Sequence, residues 1–309
     1  MRLLVTGGAG FIGSHVVERL LADGHAVDVL DNLSTGGAAR VDPRARLVVC
    51  DLRSPRLAAA VAAARPEAVV HLAAQASVAR SMADPVFDAS VNVLGTVALL
   101  EACRGAGVAR VVYISTGGAA YGDTDVLPTP EDHPARPASP YGVSKLAAER
   151  YLECWAGLTG ARALTLRLAN VYGPRQDPRG EAGVVAIFAS RLLAGTPCVV
   201  NGDGEQTRDY VYAGDVADAV ARGIVQAGAS GILNVGTGVE TSVNEIYRRL
   251  AGLCGVARAA RHGPARPGEQ RRSVLDPSRA KARLGWTPAT ALEDGLRTTV
   301  AWFRGEVGA

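Results

Sequence analysis

Short runs of β-branched and aliphatic residues recur at Arg2–Thr6, Ala26–Leu30, Arg46–Cys50, Ala68–Leu72, Arg110–Ser115 and Ala163–Leu168. They alternate with longer stretches of helical character at 11–23, 55–64, 85–106 and 140–157. This alternation leaves little choice of fold. Continuously apolar strands separated by helices belong to a parallel sheet that is covered on both faces. The pattern predicts a Rossmann-type doubly wound α/β domain over 1–170. Past Asn170 it loosens, and Gly, Pro and Arg gather in Tyr172–Gly183, Asn201–Arg208 and His262–Gln270. Short helices are expected between them, at 184–194, 215–226, 241–253 and 290–304. The prediction is a smaller C-terminal α/β substrate lobe over 171–309, with its loops facing the cleft and the chain crossing back near 215–240.

Composition narrows the partners. The 309 residues are 48% apolar, with 33 basic side chains against 30 acidic ones and a net charge of +3. A nucleic-acid binder would show a clustered basic stripe, whereas these cations are scattered. Of the 33, 31 are Arg and two are Lys, Lys145 and Lys281, so a retained lysine asks what an ammonium does there. The five cysteines are widely spaced and include no C-x-x-C pair, which argues against a disulfide framework or a zinc site. No apolar run reaches the ~18 residues that span a bilayer, and the N-terminus runs directly into a strand. The expectation is a soluble cytoplasmic protein with no nucleic-acid or membrane partner and no bound metal.

Thr6-Gly7-Gly8-Ala9-Gly10-Phe11-Ile12-Gly13 closes the first strand and opens the first helix. Glycines at this junction permit a tight turn and bring a pyrophosphate close to the N–H groups at the helix N-terminus. Asp31 ends the second strand about 20 residues on, where a carboxylate accepts from a ribose 2′-OH and repels a 2′-phosphate. That favours NAD over NADP. Asp51-Leu52 and Leu72-Ala73-Ala74-Gln75 also fall at carboxyl ends of strands, where such sheets bind ligands.

Tyr141-Gly-Val-Ser-Lys145 begins a helix entered through Pro140. Residues four apart share a helical face, so phenol and ammonium can converge on one ligand. An adjacent ammonium favours the phenolate and lowers the Tyr pKa, making it a usable general base.

With these residues the chain resembles the extended short-chain dehydrogenase/reductases, and within them the NAD-dependent nucleotide-sugar 4-epimerases. The resemblance runs over essentially the whole sequence: the Gly-rich turn, Asp31-Asn32, His71-Leu-Ala-Ala, Asn92, Ser115–Gly122, Tyr141/Lys145, Asn170-Val-Tyr-Gly-Pro, Arg208-Asp-Tyr-Val and Arg266-Pro-Gly. It implies that Tyr141 takes the sugar 4-OH proton while Lys145 holds the nicotinamide ribose. A Ser or Thr usually completes the site four residues before Tyr121. Gly117 stands there, so the hydroxyl falls to Thr116 or Ser115, with Thr116 preferred. Gly7, Gly10, Phe11, Ile12, Gly13, Asp31, Asn32, Asp51, Leu52, Leu72, Ala73, Ala74, Gln75, Asn92, Ser115 and Leu168 would line the cofactor. Ser77, Asn170, Val184, Val185, Val199 and Asn201 would line the nucleotide sugar. Arg208 and Arg266 would clamp its diphosphate, and Glu269 would meet the nucleotide ribose. Ser273 aligns with a position where a bulky Tyr restricts the sugar.

Dehydratases and decarboxylases of the same group carry acids where this chain has Gly118, Ala119 and Ala120, so the equipment for dehydration is missing. The reading is a UDP-glucose/UDP-galactose 4-epimerase, with the N-acetylated pair also admitted. A UDP-glucuronate 4-epimerase, a CDP-sugar 2-epimerase and a non-enzymatic NAD-sensing regulator are the alternatives. Relatives pair helices 85–106 and 140–157 across a two-fold axis, so the resemblance also implies a homodimer.

Overall fold

The computed structural model describes residues 1–179, 183–265 and 270–307. Its centre is a seven-stranded sheet of β1 (Arg2–Thr6), β2 (Ala26–Asp31), β3 (Arg46–Val49), β4 (Ala68–His71), β5 (Arg110–Thr116), β6 (Arg162–Leu168) and β10 (Gly231–Val235). The spatial order is β10-β6-β5-β4-β1-β2-β3, and every pairing is parallel. The strand order reverses between β1 and β4, and ligands of such sheets bind outside the carboxyl ends of the strands at that point.

Helices cover both faces, as continuously apolar strands require. On one face α1 (Phe11–Ala22), α9 (Ala213–Val225) and α11 (Ser278–Leu284) enclose a core that includes Val5, Val17, Leu166 and Trp286. On the other, α2 (Leu57–Ala64), α5 (Gly95–Gly105) and α7 (Pro140–Thr159) bury Leu30, Leu99, Tyr113 and Trp155. Short helices α3 (Val78–Ala83), α4 (Pro85–Ala89) and α6 (Gly118–Tyr121) lie at the carboxyl edge. α4 runs through a π-helical turn, Ser90–Leu94, into α5, giving one helix from Pro85 to Gly105. By length and composition this helix is apolar enough to cross a bilayer. Here it packs on α7, and its Asp88 and Asn92 are buried.

A third core, with Tyr172, Phe188, Ile246 and Phe303, belongs to the smaller lobe. It is built from α8 (Val184–Leu193), α10 (Val243–Cys254) and α12 (Leu292–Val307). One small sheet joins β7 (Asn170–Tyr172), β9 (Thr207–Tyr212), β11 (Glu240–Ser242) and β13 (Arg272–Ser273), and β8 (Val199–Asn201) pairs with β12 (Arg261–Gly263). Between the parts of this lobe the chain returns to the large sheet as α9 and β10, so the two bodies are interleaved in sequence.

Candidate active site

At the switch point the backbone makes the cradle. Gly7 has φ +72° and its N–H donates to Leu30 O at 2.8 Å; a Cβ there would lie 2.6 Å from Ala73 N. A Cβ on Gly13 would lie 2.1 Å from Gly7 O. Packing alone therefore demands glycine at 7 and 13. Gly10 differs: its φ is an ordinary −81°, and a Cβ would meet only Gly7 O, at 3.2 Å. What its missing side chain leaves open is the approach to the N-terminus of α1, which no side chain caps. Unpaired helical N–H groups under open space suit a diphosphate, so the residues present fit a dinucleotide. Phe11 and Ile12 form the half-buried first turn beneath it.

Asp31 is buried at the end of β2. Its Oδ2 accepts from Ala9 N at 3.0 Å and its Oδ1 from Leu33 N at 2.8 Å. Carboxylate oxygens hold further lone pairs, so these bonds fix the carboxylate and leave acceptor capacity for a ribose hydroxyl. Asn32 donates to Asp51 Oδ2 at 2.7 Å, and the guanidinium of Arg53 holds the Asp51 carboxyl well below the usual carboxylate range. The side chains of Leu52 and Leu168 lie in the two cores of the large sheet.

The floor of the crevice is a hydrogen-bonded relay around His71. Ala73 N donates to Thr6 Oγ1 at 3.3 Å, and Thr6 Oγ1 lies 2.7 Å from His71 Nδ1. On the other side His71 Nε2 lies 3.0 Å from Thr96 Oγ1, which donates to Asn92 O at 2.7 Å. Thr96 has spent its proton on Asn92, so Nε2 carries the hydrogen. Burial and the nearby Lys145 charge push the His71 pKa down to about 3. Leu72, Ala73 and Ala74 form the half-exposed lip above this floor.

Asn92, inside the π-helical turn, offers little of its amide to a ligand. Its Oδ1 accepts from Gln75 N at 2.8 Å, and its Nδ2 is shared by Gln75 O (2.9 Å), Asp88 Oδ1 (3.0 Å) and Ser144 Oγ (3.1 Å). Gln75 Nε2 donates to Asp88 Oδ1 at 2.9 Å and to Ser77 O at 2.8 Å. Asn92 thus ties the loop after β4 to the helix that carries Tyr141 and Lys145.

That helix, α7, starts where its sequence dictates. Ser139 Oγ accepts from Gly142 N at 3.2 Å, and Pro140 occupies the first turn, where its missing N–H costs nothing. Tyr141 and Lys145 follow one turn apart. Lys145 Nζ donates to Ile114 O at 2.6 Å and sits 4.3 Å from the centre of the Tyr113 ring. Burial lowers the Lys145 pKa to about 7, against the opposing pull of Glu149 and Asp88. Burial, with Asp88 adding, pushes the Tyr141 phenol up to about 12. This reverses the expected direction for Tyr141. The expectation weighed only the ammonium, whereas desolvation is the larger effect and Lys145 is turned to the Ile114 carbonyl.

Ser115 is buried, and its hydroxyl donates to Glu149 Oε1 at 2.5 Å. Glu149 also receives Arg167 Nε at 3.0 Å and Nη2 at 2.6 Å, both side chains being 2% exposed. The Ser115 hydroxyl is therefore committed. Thr116, half-buried at the end of β5, makes no side-chain hydrogen bond among the described residues. Glycine at 117 has its own cause, since a Cβ would lie 2.6 Å from Leu275 Cδ1.

Across the crevice, Ser273 on β13 is the register partner of Arg208 on β9. A Cβ on Gly118 would come within 3.0 Å of Ser273 Oγ and 3.4 Å of Gln270 Oε1. Arg208 is half-buried and one of its Nη atoms donates to Thr207 O at 2.7 Å. Asn170 is exposed at the start of β7, Ser77 caps α3, and Asn201 ends β8 beside the exposed Val199. Val184 opens α8 half-buried, while the Val185 side chain is in the third core and can offer only backbone. Arg266 and Glu269 lie outside the described residues. Sequence reasoning missed Asp88, Glu149, Arg167 and Gln270; only Glu149 left a signal, one helical turn past Lys145.

Residues 3–236 match the family described as NAD dependent epimerase/dehydratase. The UDP-glucose 4-epimerase of Mycolicibacterium smegmatis is 50% identical over 309 residues, covering 98% of this chain and 99% of its own. The crystal structure of UDP-glucose 4-epimerase from Thermotoga maritima with UDP-glucose superposes with a TM-score of 0.97 at 45% identity, covering 99% of this chain and all of that one. That of the Thermus thermophilus enzyme in complex with NAD has a TM-score of 0.93 at 48% identity, with 99% of each chain covered. The glycine cradle, the neutral floor and the Tyr-Lys turn thus coincide with a likeness that runs the length of the chain, which belongs to the NAD dependent epimerase/dehydratase family.

Proposed function

We propose that this chain is a UDP-glucose 4-epimerase, an isomerase that interconverts UDP-glucose and UDP-galactose and takes NAD as its cofactor. The observation that carries the reading is chemical economy at the crevice. A phenol and an ammonium stand one turn apart at its floor, a threonine hydroxyl with no side-chain hydrogen bond among the described residues ends β5, and α6 offers Gly118, Ala119 and Ala120 where a dehydrating acid would stand. Such a set can oxidise one alcohol and reduce it again, and it holds nothing to expel water. NAD supplies the hydride acceptor and donor. Tyr141, once ionised, accepts the 4-hydroxyl proton and returns it, Thr116 orients that hydroxyl, and Arg208 holds the diphosphate while the sugar is free to turn. A charge-assisted fork on the diphosphate supplies binding energy away from the reacting carbon.

Conversion of UDP-glucose to UDP-galactose by the purified protein, with no cofactor added, tests this reading. A 4,6-dehydrated product, or no turnover when NAD is supplied, overturns it.

A second copy of the chain is the proposed partner. Val143, Tyr151, Cys154 and Leu158 form an exposed stripe along α7, and Val86 and Leu94 are exposed on the adjoining helix. Two such helices from each copy would bury one another's apolar faces. Sedimentation at micromolar concentration distinguishes dimer from monomer.

A further inference from the structure

Four buried charges surround the catalytic turn: Lys145, Arg167, Glu149 and Asp88. They are not equivalent. Glu149 is neutralised by Arg167 through a two-bonded fork and receives Ser115 as well. Asp88, 1% exposed, has no ion pair among the described residues. Its Oδ1 accepts from the uncharged amides of Gln75 and Asn92, and its Oδ2 is buried with no donor. An uncompensated buried carboxylate is expensive, and such groups cluster where a site needs their charge.

Its position gives that charge a target. Asp88 lies one turn before Asn92 on the helix that packs against α7. Asn92 reaches Ser144 Oγ, and Ser144 Oγ donates to Tyr141 O at 3.0 Å. One bridge therefore links Asp88 to the turn that carries Tyr141 and Lys145. The other titratable or charged groups around that turn are His71 on β4, Tyr113 on β5, Arg167 on β6 and Glu149 on α7 itself. Arg53 and Arg80 stack on the ring of neighbouring Phe87, at 5.1 and 4.0 Å.

We propose that Asp88 is a positioning residue: its bonds to Gln75 and Asn92 align Asn92 with the helix that carries Tyr141 and Lys145, and its carboxyl joins Glu149 as an acidic neighbour of that pair. A nearby negative charge favours ammonium and disfavours phenolate. Removing it therefore moves the titrations of Lys145 and Tyr141 the same way, to lower pH. That joint movement separates an electrostatic role from a structural one. Glu149, though tied to Arg167, pulls Lys145 the same way, so the loss of Asp88 is read against a background that Glu149 leaves in place. The inference rests on Tyr141 and Lys145 being the catalytic pair of the proposed epimerase.

Asp88→Asn is the cleanest test, because the amide oxygen can still accept from Gln75 and Asn92 while the charge is gone. The Tyr141 phenolate is read from its near-ultraviolet absorbance in the holoenzyme as a pH titration, taken as the difference from the same protein carrying Tyr141→Phe. In the Asp88→Asn background the phenolate band should emerge at lower pH. Both limbs of the pH–rate profile for UDP-glucose should also shift to lower pH. Gln75→Leu, which disturbs the same network without removing charge, should lower the plateau and leave the titration in place. An unmoved titration in Asp88→Asn overturns the proposal, whether or not the rate falls. If Asp88→Asn does not fold, Asp88→Ser is read the same way. Failure of the wild type to epimerise UDP-glucose would sink the proposed function, yet the phenolate titration would still judge Asp88.

Discussion

The two walls of the crevice are built by different means. The proposed cofactor wall is backbone: the turn 7–13, the end of β2 and the lip after β4 are held by contacts that tolerate no Cβ at Gly7 or Gly13. The proposed sugar wall is side chains brought from distant segments, with Arg208 and Ser273 on paired strands and Gly118 against Ser273 and Gln270. A wall of backbone fixes one ligand shape, common to every dinucleotide. A wall of side chains can change its substrate by one substitution. The comparison predicts that damage to the first is felt as lost cofactor or fold, and damage to the second as changed specificity.

The largest effect falls where the walls meet. Tyr141→Phe removes the only proposed proton acceptor, and loss of a positioned general base costs about 10²–10⁴-fold in rate. NAD content by absorbance should stay at the wild-type level while epimerisation is lost. Wild-type turnover in this variant would remove Tyr141 from the mechanism. Next comes the cofactor wall itself. Gly13→Ala puts a Cβ 2.1 Å from Gly7 O, and no rotamer can relieve a backbone clash. We expect about 1–3 kcal/mol of lost stability, typical of overpacking, and a melting temperature that no longer rises with added NAD. Retained NAD stabilisation would mean that the turn is softer than its contacts indicate.

Arg208→Ala should be milder and of another kind. A hydrogen bond to a charged group contributes about 1.5–3 kcal/mol, so KM for UDP-glucose should rise roughly ten- to a hundredfold at near-normal NAD content. A fall in kcat with KM unchanged would place Arg208 away from the ground-state diphosphate.

The same contrast explains what could be read from the chain alone. The six strands and the glycine turn of the cofactor half are local signals, carried by apolar runs and by glycines at fixed spacing. Tyr141 and Lys145 were legible because a helix converts a spacing of four into a shared face. The π-helical turn that aims Asn92 has no comparable signature, whereas the looser pattern after Asn170 already points to a return of the chain near 215–240. Asp88 was invisible for a physical reason. An acid in an otherwise apolar helix reads as solvent-facing until the packing shows which side is buried. Arg167 was hidden in the opposite way, as a cation inside a strand whose burial makes sense only with Glu149 in view. The pKa of Tyr141 was misjudged because adjacency is visible in a sequence and desolvation is not.

The smallest effect on UDP-glucose is also the most discriminating. Ser273 is buried on β13, in register with Arg208, and its hydroxyl lies opposite Gly118. A small side chain stands where the resemblance to the epimerases places a bulky Tyr, so this chain should epimerise UDP-N-acetylglucosamine as well as UDP-glucose. Ser273→Tyr should cost UDP-glucose less than the acetamido sugar, because the smaller sugar makes the smaller demand on this wall. The acetamido sugar, displaced by the ring, should lose about 10²-fold or more, within the several kcal/mol that overpacking a closed site can cost. The two sugars are compared by kcat/KM on one preparation, so folding and cofactor content cancel from the ratio. A ratio that does not move would mean that the sugar is bounded elsewhere on the side-chain wall, with Gln270 the next residue to change, and would limit the role of Ser273 to its place beside Arg208.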